Sequence, residues 1–417
     1  MSDRTKPDIL LIAYYFPPHQ GIGGARPYRF YKYLKRAGFR CHVVTASMQA
    51  TDSPPDVLFA PDSTASIWES RENDCLPIRA QIERGVRRLF FPGGLGLSWS
   101  LAAAQCCRAI IHRNPGRRFV LISSFPPVGA LLAGIWVAFS DGIPWISDLR
   151  DPLHSPSDLK GFPFANAATR RLESLSFRMA DAVIANTGPA GEMLRGRFPR
   201  AAPKIQVIWN GFDPEQRPYP RSTPPRSYKT LVHTGEMYDG RNADVVLESL
   251  ARLRDANQEA HNTRVILLGE IGGHTGARAE IYARAEQEGW LERRSKTVPK
   301  SEAWRIMAES DFLLLLQPQS AVQVPGKLFE YACVGRPILA VAPPHSAIEE
   351  ILDNAGIPHA CIYPNDDPAT IDRKFLEFLR LPSGPVPFSA WFESKFDAER
   401  QASQLASIID AVSAGRV

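Results

Sequence analysis

The sequence predicts an α/β protein made of two parallel-sheet domains facing a cleft. Short, uniformly apolar runs alternate with helical stretches, the alternation occurs twice, and a proline-rich polar segment separates the two series. In the first series, residues 8–13, 40–45, 119–123, 145–148, 182–185 and 205–208 have the length and apolar character of strands covered on both faces. Residues 26–37 and 169–179 are the clearest helices between them. Residues 216–229, QRPYPRSTPPRSYK, hold four prolines and little apolar content, the composition of a linker. The second series has strands at 230–233, 264–268, 296–298, 311–316 and 338–342, with a helix through Glu309 capped by Ser301 and Glu302. These signals divide the chain into residues 1–215, residues 216–390 and a terminal helix within 391–417 expected to pack back across the first domain.

Composition narrows the class. At 417 residues the chain exceeds what one core organises, so two domains of roughly 200 residues are the default. A hydrophobic fraction of 44% with 22% charged residues fits a soluble globular protein, and a formal charge of +5 is too mild to imply nucleic acid. The six cysteines, Cys41, Cys75, Cys106, Cys107, Cys333 and Cys361, form no CxxC pair and no metal-ligand spacing, which fits buried thiols in a reducing compartment. The polar start MSDRTKPD has no signal-peptide pattern, and the longest apolar stretch, 128–139, falls short of the ~20 residues that span a bilayer. The expected location is the cytoplasm, with contact at the inner face of the membrane as an option taken up below.

The stretch 324–339, VPGKLFEYACVGRPIL, carries the strongest chemical signal. It follows the apolar run 311–316, so its loop leaves the C-terminal end of a strand, where ligand crevices of open α/β sheets lie. Pro325 favours a helix start, Gly326 permits close approach of a ligand, and Lys327 sits where free N–H groups and the helix dipole already favour an anion such as a diphosphate. Glu330, three residues on, shares a helix face with Lys327, and a carboxylate accepting from two vicinal hydroxyls makes a ribose clamp. Gly335 and Pro337 end the helix. An ordinary β-α-β unit with a solvent-facing lysine and glutamate would read the same way over this segment alone.

Each half also opens with a glycine loop after its first strand. In YYFPPHQGIGGAR, residues 14–26, the backbone around Gly23 and Gly24 can point N–H groups at a phosphate or a reacting sugar. The spacing of Gly21, Gly23 and Gly24 fails the dinucleotide fingerprint, and Thr45-Ala46-Ser47 supplies no acidic residue after the second strand, which argues against a nicotinamide oxidoreductase. In HTGEMYDGRN, residues 233–242, Gly235 begins the loop and Arg241 can fork onto a diphosphate, unless it is a solvated surface arginine. Arg241 and Lys327, from two loops at the same sheet end, reinforce one another.

Asp148-Leu149-Arg150-Asp151 follows a strand in the first half. Asp148 or Asp151 is a candidate to accept an acceptor hydroxyl's proton, with Arg150 orienting either carboxylate or binding phosphate. The competing reading has Arg150 pairing with both aspartates to hold a loop. The aspartates are not spaced as DxD, and an intervening cation would repel a divalent ion, so no metal is expected. His19 and His154 are lone histidines near these loops.

YYFPPHQGIGGAR, DLRDP at 148–152, NGFD at 210–213, HTGEMYDGR and VPGKLFEYACVGRPILA together resemble the family 4 glycosyltransferases of the GT-B fold, especially bacterial members that build surface polysaccharides. The resemblance spans nearly the whole chain. It implies two Rossmann-like domains, a nucleotide diphosphate-sugar donor bound mainly by the C-terminal one, an acceptor bound mainly by the N-terminal one, and no cofactor. It places Glu330 on the ribose hydroxyls, Arg241 and Lys327 on the diphosphate, and Asn210 with Gly211 at the interdomain crossing. The expected reaction moves the sugar to a hydroxyl of a glycan or lipid-linked precursor through an oxocarbenium-like transition state, without metal and with retention of anomeric configuration. One departure stands out: the family commonly carries a glutamate eight positions before Glu330, and here that position is Val322. Sugar recognition therefore differs, with Gln319, Ser320 and Gln323 as nearby polar candidates, and retention is correspondingly less secured. A GT-B nucleotide-sugar epimerase and a catalytically silent nucleotide-sugar binder are the alternatives.

Residues 80–100 bear on the acceptor. Arg84, Arg87 and Arg88 run into Phe90 and Phe91 and then Trp99, a basic and aromatic series suited to anionic lipid head groups and a lipid-linked acceptor. An amphipathic packing helix with a following loop accounts equally for the same residues. Arg170, Arg171, Arg195, Arg197 and Arg200 either extend a basic face or are solvated surface.

Overall fold

The computed structural model describes residues 6–18, 22–46, 54–62, 96–151, 153, 163–237, 240–270, 277–295 and 298–415. Two compact units emerge, one of Met1–Asn210 with Ala398–Val417, the other of Gly211–Asp397.

The first unit is built on a seven-stranded parallel sheet of order β3-β2-β1-β4-β5-β6-β7. Its strands are β1 (Asp8–Ala13), β2 (Cys41–Thr45), β3 (Val57–Phe59), β4 (Phe119–Phe125), β5 (Trp145–Leu149), β6 (Ala182–Ala185) and β7 (Ile205–Val207). Helices α1 (Ala25–Arg36), α2 (Leu97–Arg113), α3 (Val128–Asp141), α4 (Pro163–Met179) and α5 (Gly188–Arg197) connect them. β1 and β4 are buried along their whole length, as DILLIA and FVLISSF require of strands with helices on both faces. Their register runs from Asp8 opposite Phe119 to Ala13 opposite Ser124. Because the chain winds outward in both directions from this pair, their C-terminal ends form the switch point of the sheet.

The second unit repeats the plan with six parallel strands of order β10-β9-β8-β11-β12-β13. The strands are β8 (Lys229–Thr234), β9 (Thr263–Leu268), β10 (Leu291–Arg294), β11 (Phe312–Leu316), β12 (Ile338–Val341) and β13 (His359–Ile362). Its helices are α6 (Asp244–Leu253), α7 (Gln258–His261), α8 (Ala279–Gln287), α9 (Lys300–Ala308), α10 (Lys327–Val334), α11 (Ala347–Ala355), α12 (Pro368–Leu379) and α13 (Ala390–Phe396). The switch point lies between β8 and β11.

A last helix, α14 (Ala398–Ala414), returns to the first unit. Leu405 and Ile409 join Phe30 and Leu34 of α1 and Ile9 and Leu11 of β1 in one buried cluster. The single terminal helix expected from the sequence is two helices, because Asp397 is extended (φ −65°, ψ 125°) and Phe212 N–H donates to the Phe396 carbonyl at 3.0 Å.

Several other expectations need correction. The strand expected at 296–298 is β10, a few residues earlier; its sequence LERR is half exposed and gives no apolar signal, and residues 296–297 lie outside the described set. Residues 216–228 belong to the second unit, whose boundary falls after Asn210, five residues before the sequence-based one at 215. They do not run free: the Arg217 guanidinium lies 5.4 Å from the Phe388 ring centre, and the Arg221 carbonyl accepts from buried Arg336. α9 starts at Lys300 after Pro299, with no side-chain cap from Ser301. The apolar stretch at 128–139 is α3, and among the described residues no helix is long and apolar enough to cross a membrane.

Leu405 is fully buried on α14, so Leu405→Ala should cost about 2–5 kcal/mol and lower Tm by on the order of 10 °C in thermal denaturation, while exposed Gln404→Ala leaves Tm unchanged.

Candidate active site

At the switch point of the second unit, α10 is fastened by one phenol. Tyr331 is fully buried; its hydroxyl accepts from Thr234 N–H at 2.9 Å and donates to the Leu314 carbonyl at 3.3 Å, tying the helix to the ends of β8 and β11. Burial pushes that phenol up to about 12. Gly326 begins α10 without a side-chain cap, and in the first turn Leu328 N–H donates to the Pro325 carbonyl at 3.1 Å. Gly335 closes it at φ +75°, where a Cβ would overlap the Val386 carbonyl. Lys327 and Glu330 do share a face: Nζ and Oε2 are 3.1 Å apart, and Lys300 of α9 reaches Oε1 at 3.8 Å. Both are partly exposed, at 29% and 19%.

His233, which the sequence reading passed over, stands beside them at the end of β8. Its Nδ1 lies 2.9 Å from the Leu314 carbonyl, so Nδ1 carries the hydrogen and Nε2 is a bare acceptor. Nε2 is buried and makes no hydrogen bond. Burial, then the charges of Lys327 and Arg241, push the imidazole down to about 4. Gly235 follows at φ +133°, and a Cβ there would sit 3.7 Å from Lys327 Cε and 4.0 Å from His233 Nε2.

The loop after β8 is less open to an anion than its glycines suggest. At the start of α6, Ala243 N–H donates to Tyr282 at 2.9 Å, Asp244 N–H donates to Asn242 Oδ1 at 3.2 Å, and Asp244 itself lies in the first turn, paired with Arg278 at 3.3 Å. The start of α6 is therefore occupied by protein groups, while the Arg241 side chain just before it is half-buried. Beyond β11, Gln317 is fully buried; its amide donates to Gln323 Oε1 at 3.4 Å, and its own Oε1 makes no hydrogen bond. Ser320 Oγ accepts from Gln323 N–H at 3.3 Å, and Gln319 packs over Gly240.

The first unit gathers the DLRD cluster and the glycine loop at the end of β4 and β5. Asp148 is fully buried and meets Arg26, itself 3% exposed, through Nη2 at 2.8 Å and Nε at 3.1 Å, while Ser124 Oγ donates to it at 2.9 Å. Arg26 also donates to the Trp209 carbonyl at 2.7 Å and lies 3.5 Å from Asn210 Oδ1. Arg150 donates to the carbonyls of Phe125, Gly23 and Pro126, and burial lowers its pKa. Asp148 and Arg150 are thus committed to protein partners, and Asp151 is the half-buried carboxylate of the trio. Gly24 is the residue before α1 and a Cβ there would lie 3.3 Å from Phe16 Cα; one on Gly23 would lie 2.7 Å from Tyr15 Cδ2. A side chain at Gly23 would therefore need the Tyr15 ring to move, and one at Gly24 would be tight against the Phe16 backbone. Asn210 is held by Gln401 Nε2, which donates to its carbonyl at 3.2 Å.

His19, His154 and the Arg84, Arg87, Arg88, Phe90, Phe91 series lie outside the described residues. Trp99, read as a candidate for lipid contact, is fully buried in α2 against Tyr14, 5.1 Å between ring centres. Arg195 and Arg197 pair with Glu192 and Glu173, and Arg170, Arg171 and Arg200 are exposed. Among the described residues, no three His, Cys, Asp or Glu side chains are grouped to hold a metal ion.

Arg26→Ala would strand the Asp148 carboxylate in the core and should cost about 3–5 kcal/mol in denaturant unfolding. The neutral His233 has its own signature. Between pH 6.5 and about 4 the unfolded chain binds the imidazole proton and the folded one does not, so stability falls as pH drops through that window, by on the order of 3 kcal/mol in total. His233→Asn should remove that component from a pH series of unfolding free energies.

Residues 23–216 match the sequence profile of Glycosyltransferase Family 4. HepE (Alr3699) of Anabaena, solved with UDP-glucose, is 15% identical, with a TM-score of 0.62 over 97% of this chain and 100% of its own. The α,α-trehalose 6-phosphate synthase of Burkholderia multivorans is 11% identical, with a TM-score of 0.64 over 99% and 100% of the two chains. WaaG, a glycosyltransferase involved in lipopolysaccharide biosynthesis, is 14% identical, with a TM-score of 0.56 over 97% and 98%. No curated protein matches the chain in sequence. At such identities the likeness is one of fold, and the two parallel sheets are those of GT-B enzymes. Residues 23–216 thus match the Glycosyltransferase Family 4 profile within a chain that has the fold of the GT-B glycosyltransferases.

Proposed function

We propose that the protein transfers a sugar from a nucleotide diphosphate-sugar held by the second unit to a hydroxyl of a lipid-linked or surface-polysaccharide precursor. The observation that carries the donor assignment is the pairing of Lys327 with Glu330 on the first turn of an uncapped α10, beside the ends of β8 and β11. Glu330 accepts from the ribose hydroxyls, and on donor binding Lys327 exchanges its contact with Glu330 for the diphosphate, which Arg241 flanks. Gly235 leaves room for the phosphates beside the Lys327 stem. These cations and the helix dipole offset the charge that develops on the leaving diphosphate, so the reaction proceeds without a divalent metal.

Gln317, Gln319, Ser320 and Gln323 stand where recognition of the sugar has to replace the glutamate that Val322 displaces. Gln317 is the most informative of them, since its buried Oε1 makes no hydrogen bond and suits a sugar hydroxyl. On the acceptor side, Gly23 and Gly24 shape the loop, Arg26 and Arg150 hold it, and Asp148 positions Arg26 while Asp151 is assigned the acceptor proton. Asn210 fixes the end of the first unit before the chain crosses. With retention, a donor phosphate oxygen takes that proton instead, and Asp151 orients the hydroxyl. WaaG, named for lipopolysaccharide biosynthesis, supports an envelope-glycan acceptor, and the basic and aromatic residues Arg84, Arg87, Arg88, Phe90 and Phe91 suit anionic lipid at the inner face of the membrane.

A thermal-shift screen of UDP-, GDP-, dTDP- and ADP-sugars without metal tests the donor site. One nucleotide class should raise Tm, and Glu330→Ala should weaken its binding about tenfold to a hundredfold. A shift unaffected by Glu330→Ala would remove the ribose clamp. Release of nucleoside diphosphate that depends on an acceptor marks transfer, whereas conversion of the sugar without one marks epimerisation. The product's anomeric form, read by NMR, decides between retention and inversion.

A further inference from the structure

His233 has no role in the donor grip as described so far, yet its geometry leaves one atom unaccounted for. The ring is 6% exposed, Nδ1–H is spent on Leu314 at 2.9 Å, and the bare Nε2 beside Gly235 makes no hydrogen bond. A buried polar atom without a partner is uncommon in a native protein and points to a group that arrives later. What arrives there has to sit among cations. Lys327 comes from α10, Arg241 from the loop after β8, and Lys300 from α9 behind Glu330; the acidic groups nearby are Glu330, already paired to both lysines, and Glu236 of the same loop. β11 contributes the Leu314 carbonyl, and α10 adds the Tyr331 phenol, which stays neutral at physiological pH.

A diphosphate seated against Lys327 and Arg241 changes the balance at Nε2. The bare lone pair would repel phosphate oxygens, while the two cations that add to burial in keeping the ring neutral would be offset by the ligand's negative charge. Resting on the donor site described above, we infer that binding of a nucleotide diphosphate-sugar is coupled to uptake of one proton at His233 Nε2, and that the imidazolium then donates to a diphosphate oxygen. The proton comes from solvent and returns to it when the ligand leaves. Because the Nδ1–H bond to Leu314 persists in both states, the ring needs no rotation to switch from acceptor to donor. Donor affinity is thereby linked to pH through a buried residue.

Titration calorimetry with UDP-glucose, or with whichever sugar nucleotide of the screen binds, decides this in two buffers of low and high ionisation enthalpy at pH 6. The diphosphate diester of such a probe does not titrate in this range. The expected result is a heat difference corresponding to uptake of at least about half a proton, and an affinity that rises by up to about tenfold per unit as pH falls from 7 to 5.5. His233→Asn keeps a donor for Leu314 and cannot be protonated, so it should bind with no uptake and a flat pH profile. Equal heats for the wild type in both buffers would overturn the proton linkage while leaving the donor site intact, and this comparison needs no variant. Uptake that persists in His233→Asn would also overturn it. Failure of every sugar nucleotide to bind would overturn the donor site and the linkage together.

Discussion

The first unit is organised around the buried pair of Arg26 and Asp148. One guanidinium reaches the end of β5, the carbonyl of Trp209 and the side chain of Asn210, so the opening of α1, the middle of the sheet and the exit of the chain are fixed by a single side chain. A charge removed from water is tolerated only with a full complement of partners, and here both ions have one. The consequence is positional. With Arg26 drawn inward and Arg150 laid across three carbonyls, Gly23 and the start of α1 are tied to the ends of β4 and β5.

In the second unit the equivalent task falls to an uncharged group. The Tyr331 phenol joins α10 to two strands, leaving the lysine and glutamate of the first turn to face outward. These two neutralise each other in this structure, which lowers the electrostatic strain of keeping Lys327 close to Arg241 and His233.

How much of this was readable from the sequence depends on the range of the interaction. The central strands β1, β11 and β12 were legible because burial on both faces makes them almost wholly apolar, and α10 was legible because glycine and proline mark both its ends. Edge strands β3 and β10 were not, since a half-exposed strand such as LERR has neither period nor apolar content to declare it. Lys327 and Glu330 were found because three residues of helix place them together. Asp148 and Arg26 lie 122 positions apart, and nothing local announces their pairing. His233 and Gln317 were missed for a similar reason: a lone polar residue closing an apolar run looks like any strand end until the neighbouring strand shows which of its atoms is left without a partner. The sequence also overstated the second glycine loop, because Asn242, Tyr282 and Asp244 occupy the helix start from positions that local pattern does not weigh.

The placement of α14 has a bearing on how the molecule is made. Leu405 and Ile409 complete the cluster around Phe30 and Leu34, yet they follow the whole of Gly211–Asp397 in the chain. During synthesis, the apolar face of α1 emerges from the ribosome long before the helix that covers it, so the N-terminal unit waits, partly unsealed, while the second unit is translated and folds. That interval, on the order of ten seconds or more at ordinary elongation rates, makes the nascent first unit a client for chaperones that shield apolar surface, and it couples completion of that core to a helix translated after the second unit.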